Sequence, residues 1–317
     1  MVSKHLKSHV RLPVKVMVLI RHAEHCDHSL RELNMHPASR ARFYLASLGL
    51  PLLLALAVFV LFDLTEADRL ISNMLLDPAT GQFPLLHDQW FEKVTHKWPR
   101  ILPDWTGELS IIGALLSFVW PRVAGTPQAP LTRLLVATRI APVLRFTTRY
   151  RRDFLFIIVA FALATGVIHY LKSHTGVYCP VETTLYGGPH PHLEWFSNFN
   201  LLEKAEDGRC WPGGHASSGF TLLALYFVAL RHRWLHARKL LAAILLIGFV
   251  YGTTRVLQGW HYMSHTFWAG IFVWLTTWVT ALAFYGRLAL QAAPVHLDSR
   301  SPAQVFNTVE TVPGTDS

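Results

Sequence analysis

The chain has 317 residues, is 51% hydrophobic and 15% charged, and carries a formal net charge of +9. That balance lies on the membrane side of the soluble averages. The positive charge is spread between apolar runs and not gathered in one soluble segment, which argues against nucleic acid as a partner.

Residues 1–34 are polar and His-rich, and they read as neither a signal peptide nor a capped helix. Met35 opens a more natural leader, MHPASRAR, so the true start is expected downstream of Met1. Residues 1–42 are expected to be a disordered cytoplasmic leader, and 291–317 a disordered cytoplasmic tail.

Between them, 43–290 is expected to be one membrane domain. Crossing a bilayer takes roughly 20 apolar residues. The first run of that kind is 43–62. Segment 63–107 places Trp90, Phe91, Trp98 and Trp105 among charges and reads as a helix lying along the membrane surface. A weaker run, 107–120, carries Glu108 near its start. Clear runs follow at 154–171, 215–230, 240–256 and 266–285. The prediction is all-α: a bundle of six membrane helices.

Lys and Arg fall unevenly between these runs. Residues 1–42 carry eight, 122–152 seven and 231–239 four; the alternate segments 63–107 and 172–214 carry four and three. Cytoplasmic loops are the ones enriched in positive charge. Both termini are therefore expected in the cytoplasm, with 63–107, 172–214 and 257–265 outside.

The polar residues gather at the outer ends of the runs. The third ends in KSHTGVYCP, the fourth begins in WPGGHASSGF, and the fifth and sixth meet in TTRVLQGWHYMSH. Lys172, His215, Arg255, His261 and His265 should then share one depth on one leaflet, and ionisable residues at membrane depth usually mark a site. Lys172 and Arg255 suit phosphate. Gly213 and Gly214 open a helix whose N–H groups and dipole favour an anion. His215 and His261 can divide acid and nucleophile duties. Together these residues point to phosphoryl chemistry.

With those residues in place, the chain resembles the type 2 phosphatidic acid phosphatase (PAP2) superfamily, which shares a core with vanadium haloperoxidases. The family pattern is K-x6-RP, PSGH and SR-x5-H-x3-D. Here it reads K-x6-CP at 172–180, PGGH at 212–215 and TR-x5-H-x3-H at 254–265. The resemblance spans about 43–290. It implies a membrane lipid phosphatase in which His261 attacks phosphorus to form a phosphohistidine and His215 protonates the leaving lipid oxygen. Lys172 and Arg255 would hold the phosphoryl oxygens, and no metal or other cofactor is needed. The implied substrates are phosphatidic acid, phosphatidylglycerol phosphate, undecaprenyl diphosphate or lipid A. The implied setting is a bacterial inner membrane with the site facing the periplasm.

Three positions depart from the pattern. Cys179 stands where the family has arginine, and Arg209 is the candidate to replace that phosphate ligand. Gly213 replaces a serine. His265 replaces the carboxylate that orients the nucleophile, and a neutral imidazole stabilises a positive His261 less. A divergent enzyme is the main reading. The alternatives are a lipid-phosphate phosphotransferase and a weakened PAP2-like binding protein.

Other readings stay open beside these. Cys179 and Cys210 share one loop and are either a disulfide or two free thiols, since spacing does not fix pairing. His261 and His265, with His190 and His192, have a spacing that can chelate zinc, but Lys172 and Arg255 would repel the ion. Trp195, Trp211 and Trp260 read as an interfacial belt or as flanks for a lipid chain. The long stretch 181–209 reads as a lid or a plain linker.

Overall fold

The computed structural model describes residues 37–125, 129–197, 199–200 and 202–291. The expectations for 1–36 and 292–317 lie outside them. The helical run begins at Pro37, inside the stretch expected as leader, and continues through two π-turns to Asp63.

Among the described residues, four helices are long and apolar enough to cross a membrane: α1 (Arg40–Asp63), and the spans that we number α8 (Arg151–Thr175), α11 (Ala237–Leu257) and α12 (Met263–Gln291). At 1.5 Å per residue, even the 21-residue α11 reaches about 31 Å, the thickness of a hydrocarbon core. Each overruns its apolar run by a few residues into polar ends.

The other two expected spans are not among these four. The weaker second run falls in α4 (Ile101–Leu116), 16 residues or about 24 Å long. The fourth run is broken into α9 (Gly214–Phe220) and α10 (Leu223–Arg231). The break has a local cause. Ser217, Ser218 and Thr221 each donate their hydroxyl to the carbonyl three residues back, at 2.7, 2.8 and 2.6 Å. Such bonds compete with the helix ladder and bend it.

The segment 63–107 is not one surface helix. It forms α2 (Ala67–Met74), α3 (Gln89–Glu92) and a π-turn over Lys93–Lys97. After α4 come the short α5 (Trp120–Val123), α6 (Pro130–Ala137) and α7 (Ile140–Arg149).

α12 is the central helix, flanked by α1, α8, α9, α10 and α11. Ala164, Ile168, Phe220, Leu223, Ile244, Ala269 and Val273 form the core directly beneath the site. α9 and α11 approach to backbone contact: a Cβ on Gly219 would lie 3.0 Å from the Cα of Gly248. Only glycine permits that distance. α1 instead exposes Leu45, Leu53 and Leu56, as a helix bathed in lipid would. At the end of the bundle away from the site, buried Asp153 of α8 accepts from Arg231, from His232 Nε2 at 2.8 Å and from the Tyr285 hydroxyl at 2.8 Å. One carboxylate thereby ties α8, α10 and α12 together.

Candidate active site

The helix ends predicted to meet do meet. α8 closes at Thr175, with Gly176 at φ +61° turning the chain away. α9 opens at Gly214, α11 ends at Leu257, and α12 opens at Met263, all at one end of the bundle.

Buried His261 sits at the centre of the cluster. Its Nδ1 lies 3.1 Å from Cys210 Sγ and 3.3 Å from His265 Nδ1. With Nδ1 so enclosed, Nε2 is the nitrogen left for other chemistry. Burial, and then the charges of Lys172, His265, Arg255 and His215, hold this imidazole well below its usual 6.5. Four separated stretches of chain therefore act on one ring, and the ring is neutral at neutral pH.

The surrounding residues are fixed by backbone. Lys172 Nζ donates to the carbonyl of Arg209 at 2.6 Å and approaches that of Cys210 at 3.5 Å. Gly214 lies against the Lys172 side chain: a Cβ there would come 2.9 Å from Cε. Gly213 N–H donates to the His265 carbonyl at 2.9 Å, and a Cβ on Gly213 would lie 3.0 Å from that oxygen. The serine that the motif pattern would place here is thus the more crowded choice. A ring N–H of His265 bonds the backbone of Cys210. His215 stacks on Tyr251 at 5.1 Å, and its Nε2 lies 3.2 Å from the carbonyl of Thr95, on the π-turn after α3.

Cys179 and Cys210 are joined as a disulfide, with Cα atoms 5.1 Å apart. The position that the pattern gives to an arginine therefore holds a crosslink against His261. Arg209 is exposed, and its link to the cluster runs through its backbone carbonyl.

The zinc reading of the histidines loses two members. His190 stacks on Tyr178 at 3.9 Å, while His192 pairs with Glu194 at 3.0 Å and faces the Tyr262 hydroxyl at 3.3 Å. The three tryptophans make defined ring contacts. Trp211 is fully buried and stacks on Trp195 at 4.6 Å. Trp260 lies under the Arg255 guanidinium.

Three further residues belong to the site and carry no signal in the sequence. Gln258 is wholly buried, and its Oε1 accepts from Arg255 Nη1 at 2.8 Å. Its Nε2 has no partner among the described residues. Asp63, at the end of α1, accepts from the indoles of Trp195 and Trp268 at 3.0 and 2.9 Å, which seats the 176–213 loop on α12. Asp68 accepts from Ser264 N–H at 3.0 Å in the first turn of α12, and burial lifts its carboxyl to about 6. A helix N-terminus favours such an acceptor. Both carboxylates line a cavity of about 150 Å³, together with His265, His192 and Glu194.

Residues 153–288 match the PAP2 superfamily. The chain is also 32% identical over 146 residues to a lipid A 4'-phosphatase of Francisella tularensis subsp. novicida (strain U112). That alignment covers 45% of this chain and 63% of the relative, so the match spans less than two thirds of the relative's length. No solved structure matches the chain significantly.

Proposed function

We propose, from the match of residues 153–288 to the PAP2 superfamily, that the chain is a member of that superfamily and an integral-membrane lipid phosphatase working through a phosphohistidine on His261. The observation that carries this reading is the enclosure of His261 Nδ1 by Cys210 and His265, with Lys172, Arg255 and His215 around the same ring.

In the first half-reaction His261 Nε2 forms a bond to phosphorus as the bond from phosphorus to the lipid oxygen breaks. His215 gives that oxygen its proton. In the second, water attacks phosphorus, the nitrogen–phosphorus bond breaks, phosphate leaves, and His215 takes the proton back. With its proton on Nδ1, His261 donates to His265, which keeps the Nε2 lone pair directed outward. Lys172, Arg255 and the N–H groups opening α9 offset the charge that grows on the phosphoryl oxygens. Thr95 holds His215 from above, so the 93–97 turn is part of the acid's setting.

The substrate is a membrane lipid phosphate, with lipid A the first choice because the relative named above acts on it. In this reading α4 and the α9–α10 pair complete a six-span bundle. The site faces the periplasm of a bacterial inner membrane, and both termini lie in the cytoplasm. A second reading, a lipid-phosphate binder that has lost turnover, draws on two observations: Lys172 is engaged by two carbonyls, and a disulfide occupies the arginine position.

Purified full-length protein in detergent is tested on lipid A, phosphatidic acid, phosphatidylglycerol phosphate and undecaprenyl diphosphate for phosphate release. The expected result is release that resists chelators and vanishes in both His215→Ala and His261→Ala. Parent protein that binds these lipids but releases no phosphate from any of them would establish the binder instead.

A further inference from the structure

The disulfide beside His261 has a second chemistry available to it. We propose that, once Cys179–Cys210 is reduced, the two sulfurs and His261 Nδ1 form a binding site for a thiophilic divalent cation such as Zn²⁺.

The geometry is already close to that of a metal site. One ligand atom from each of Cys179, Cys210 and His261 lies within 4.8 Å of the other two, and Cys210 Sγ is 3.1 Å from Nδ1. A tetrahedral zinc ion with sulfur at ~2.3 Å and nitrogen at ~2.0 Å holds its donors about 3.5–3.8 Å apart. Opening the sulfur–sulfur bond therefore requires only a short parting of the two atoms.

The backbone keeps both sulfurs in place without that bond. Cys210 N–H donates to the Val177 carbonyl at 2.8 Å, and Val177 pairs with Arg209 as a β-bridge. Cys179 N–H donates to Glu182 Oε2 at 2.8 Å. Neither anchor uses sulfur, so the reduced thiols stay facing His261.

Charge also changes sign in the proposal's favour. Lys172 and Arg255 repel a cation from a site built of imidazoles alone. Two thiolates add two negative charges, which neutralise a divalent ion, and nearby cations favour the thiolate form. The chemistry balances. A dithiol reductant passes two electrons to the disulfide and becomes a disulfide itself, giving two cysteine thiols. The ion then displaces their two protons. The fourth coordination position is left to water.

Binding would silence the enzyme, a consequence that rests on the phosphatase reading, whereas the binding itself does not. Nδ1 would hold the ion in place of a proton, and the ring's electron density would be drawn away from Nε2. The site would thus couple turnover to both thiol state and zinc.

The experiment uses the full chain in a Cys26→Ser background, so that Cys179 and Cys210 are its only cysteines. The protein is reduced with a dithiol, desalted without oxygen, and titrated with Co²⁺. One equivalent should bind with a thiolate-to-cobalt charge-transfer band that Zn²⁺ abolishes, while the oxidised chain gives no band. Cys179→Ser and Cys210→Ser should each weaken the band, and His261→Ala should lower affinity by at least about tenfold. A reduced chain without the band, or with affinity unchanged in His261→Ala, overturns the proposal. If the reduced chain gives the band while the oxidised, metal-free chain hydrolyses no lipid of the panel, the phosphatase reading fails and the metal site stands.

Discussion

Gln258→Leu isolates the clamp on Arg255, the arginine proposed to bind phosphate. The wild-type amide oxygen accepts from Arg255 Nη1 at 2.8 Å in a wholly buried setting, one turn beyond the arginine at the end of α11. Leucine is close in volume, so the perturbation is chiefly the lost acceptor. A hydrogen bond to a charged group contributes about 1.5–3 kcal/mol. If that energy now holds the guanidinium where phosphate arrives, kcat/KM should fall roughly 10- to 150-fold. The assay is steady-state phosphate release from the best substrate of the lipid panel, with thermal unfolding in the same detergent to verify the fold. The same substitution in an Arg255→Lys background should cost little, because the ammonium does not offer the Nη1 geometry. A folded Gln258→Leu protein within twofold of the parent would refute the clamp. So would penalties that simply multiply in the double variant.

Four other outcomes follow from the same geometry. Asp63→Ala strands two indole N–H groups, each costing about 1–3 kcal/mol, so thermal unfolding should show a loss of roughly 2–6 kcal/mol. Asp63→Asn, which keeps an acceptor, should lose less. Gly213→Ser restores the family residue yet places a Cβ 3.0 Å from the His265 carbonyl; overpacking of about 1–2 kcal/mol should lower phosphate release and not raise it. For pH, His261 is held well below 6.5, so its protonation should not limit kcat/KM near neutrality, and an acid limb of kcat/KM centred on 6.5 would contradict the structure. The unfolded chain takes up a proton at His261 near 6.5 that the fold resists, so this group lowers stability as pH drops through that value. Asp68 acts in the opposite sense. Raised from 3.8 to about 6, it binds its proton first in the folded state, so its contribution is greatest below 3.8 and is lost as pH rises toward 6. Asp68→Asn should remove that slope.

The chain's own order of residues was enough for four spans, because apolar runs near 20 residues have a local physical meaning in a bilayer. It was also enough to collect Lys172, His215, Arg255, His261 and His265 at one end, since alternating helix direction and loop charge constrain which ends coincide. The hydropathy of 215–230 could not reveal that its hydroxyls turn inward on their own carbonyls and split the helix. Nor could spacing decide that Cys210 lies against a histidine 51 residues away, or that Trp211 is buried and stacks on Trp195. Asp63, Gln258 and Thr95 are ordinary residues in sequence, and they gain roles only because packing brings each against a partner that needs one more hydrogen bond. Hydrophobic burial sets where helices run and follows from local composition. The partner of a buried polar atom is chosen by the three-dimensional arrangement of all the helices, and a linear pattern does not contain it.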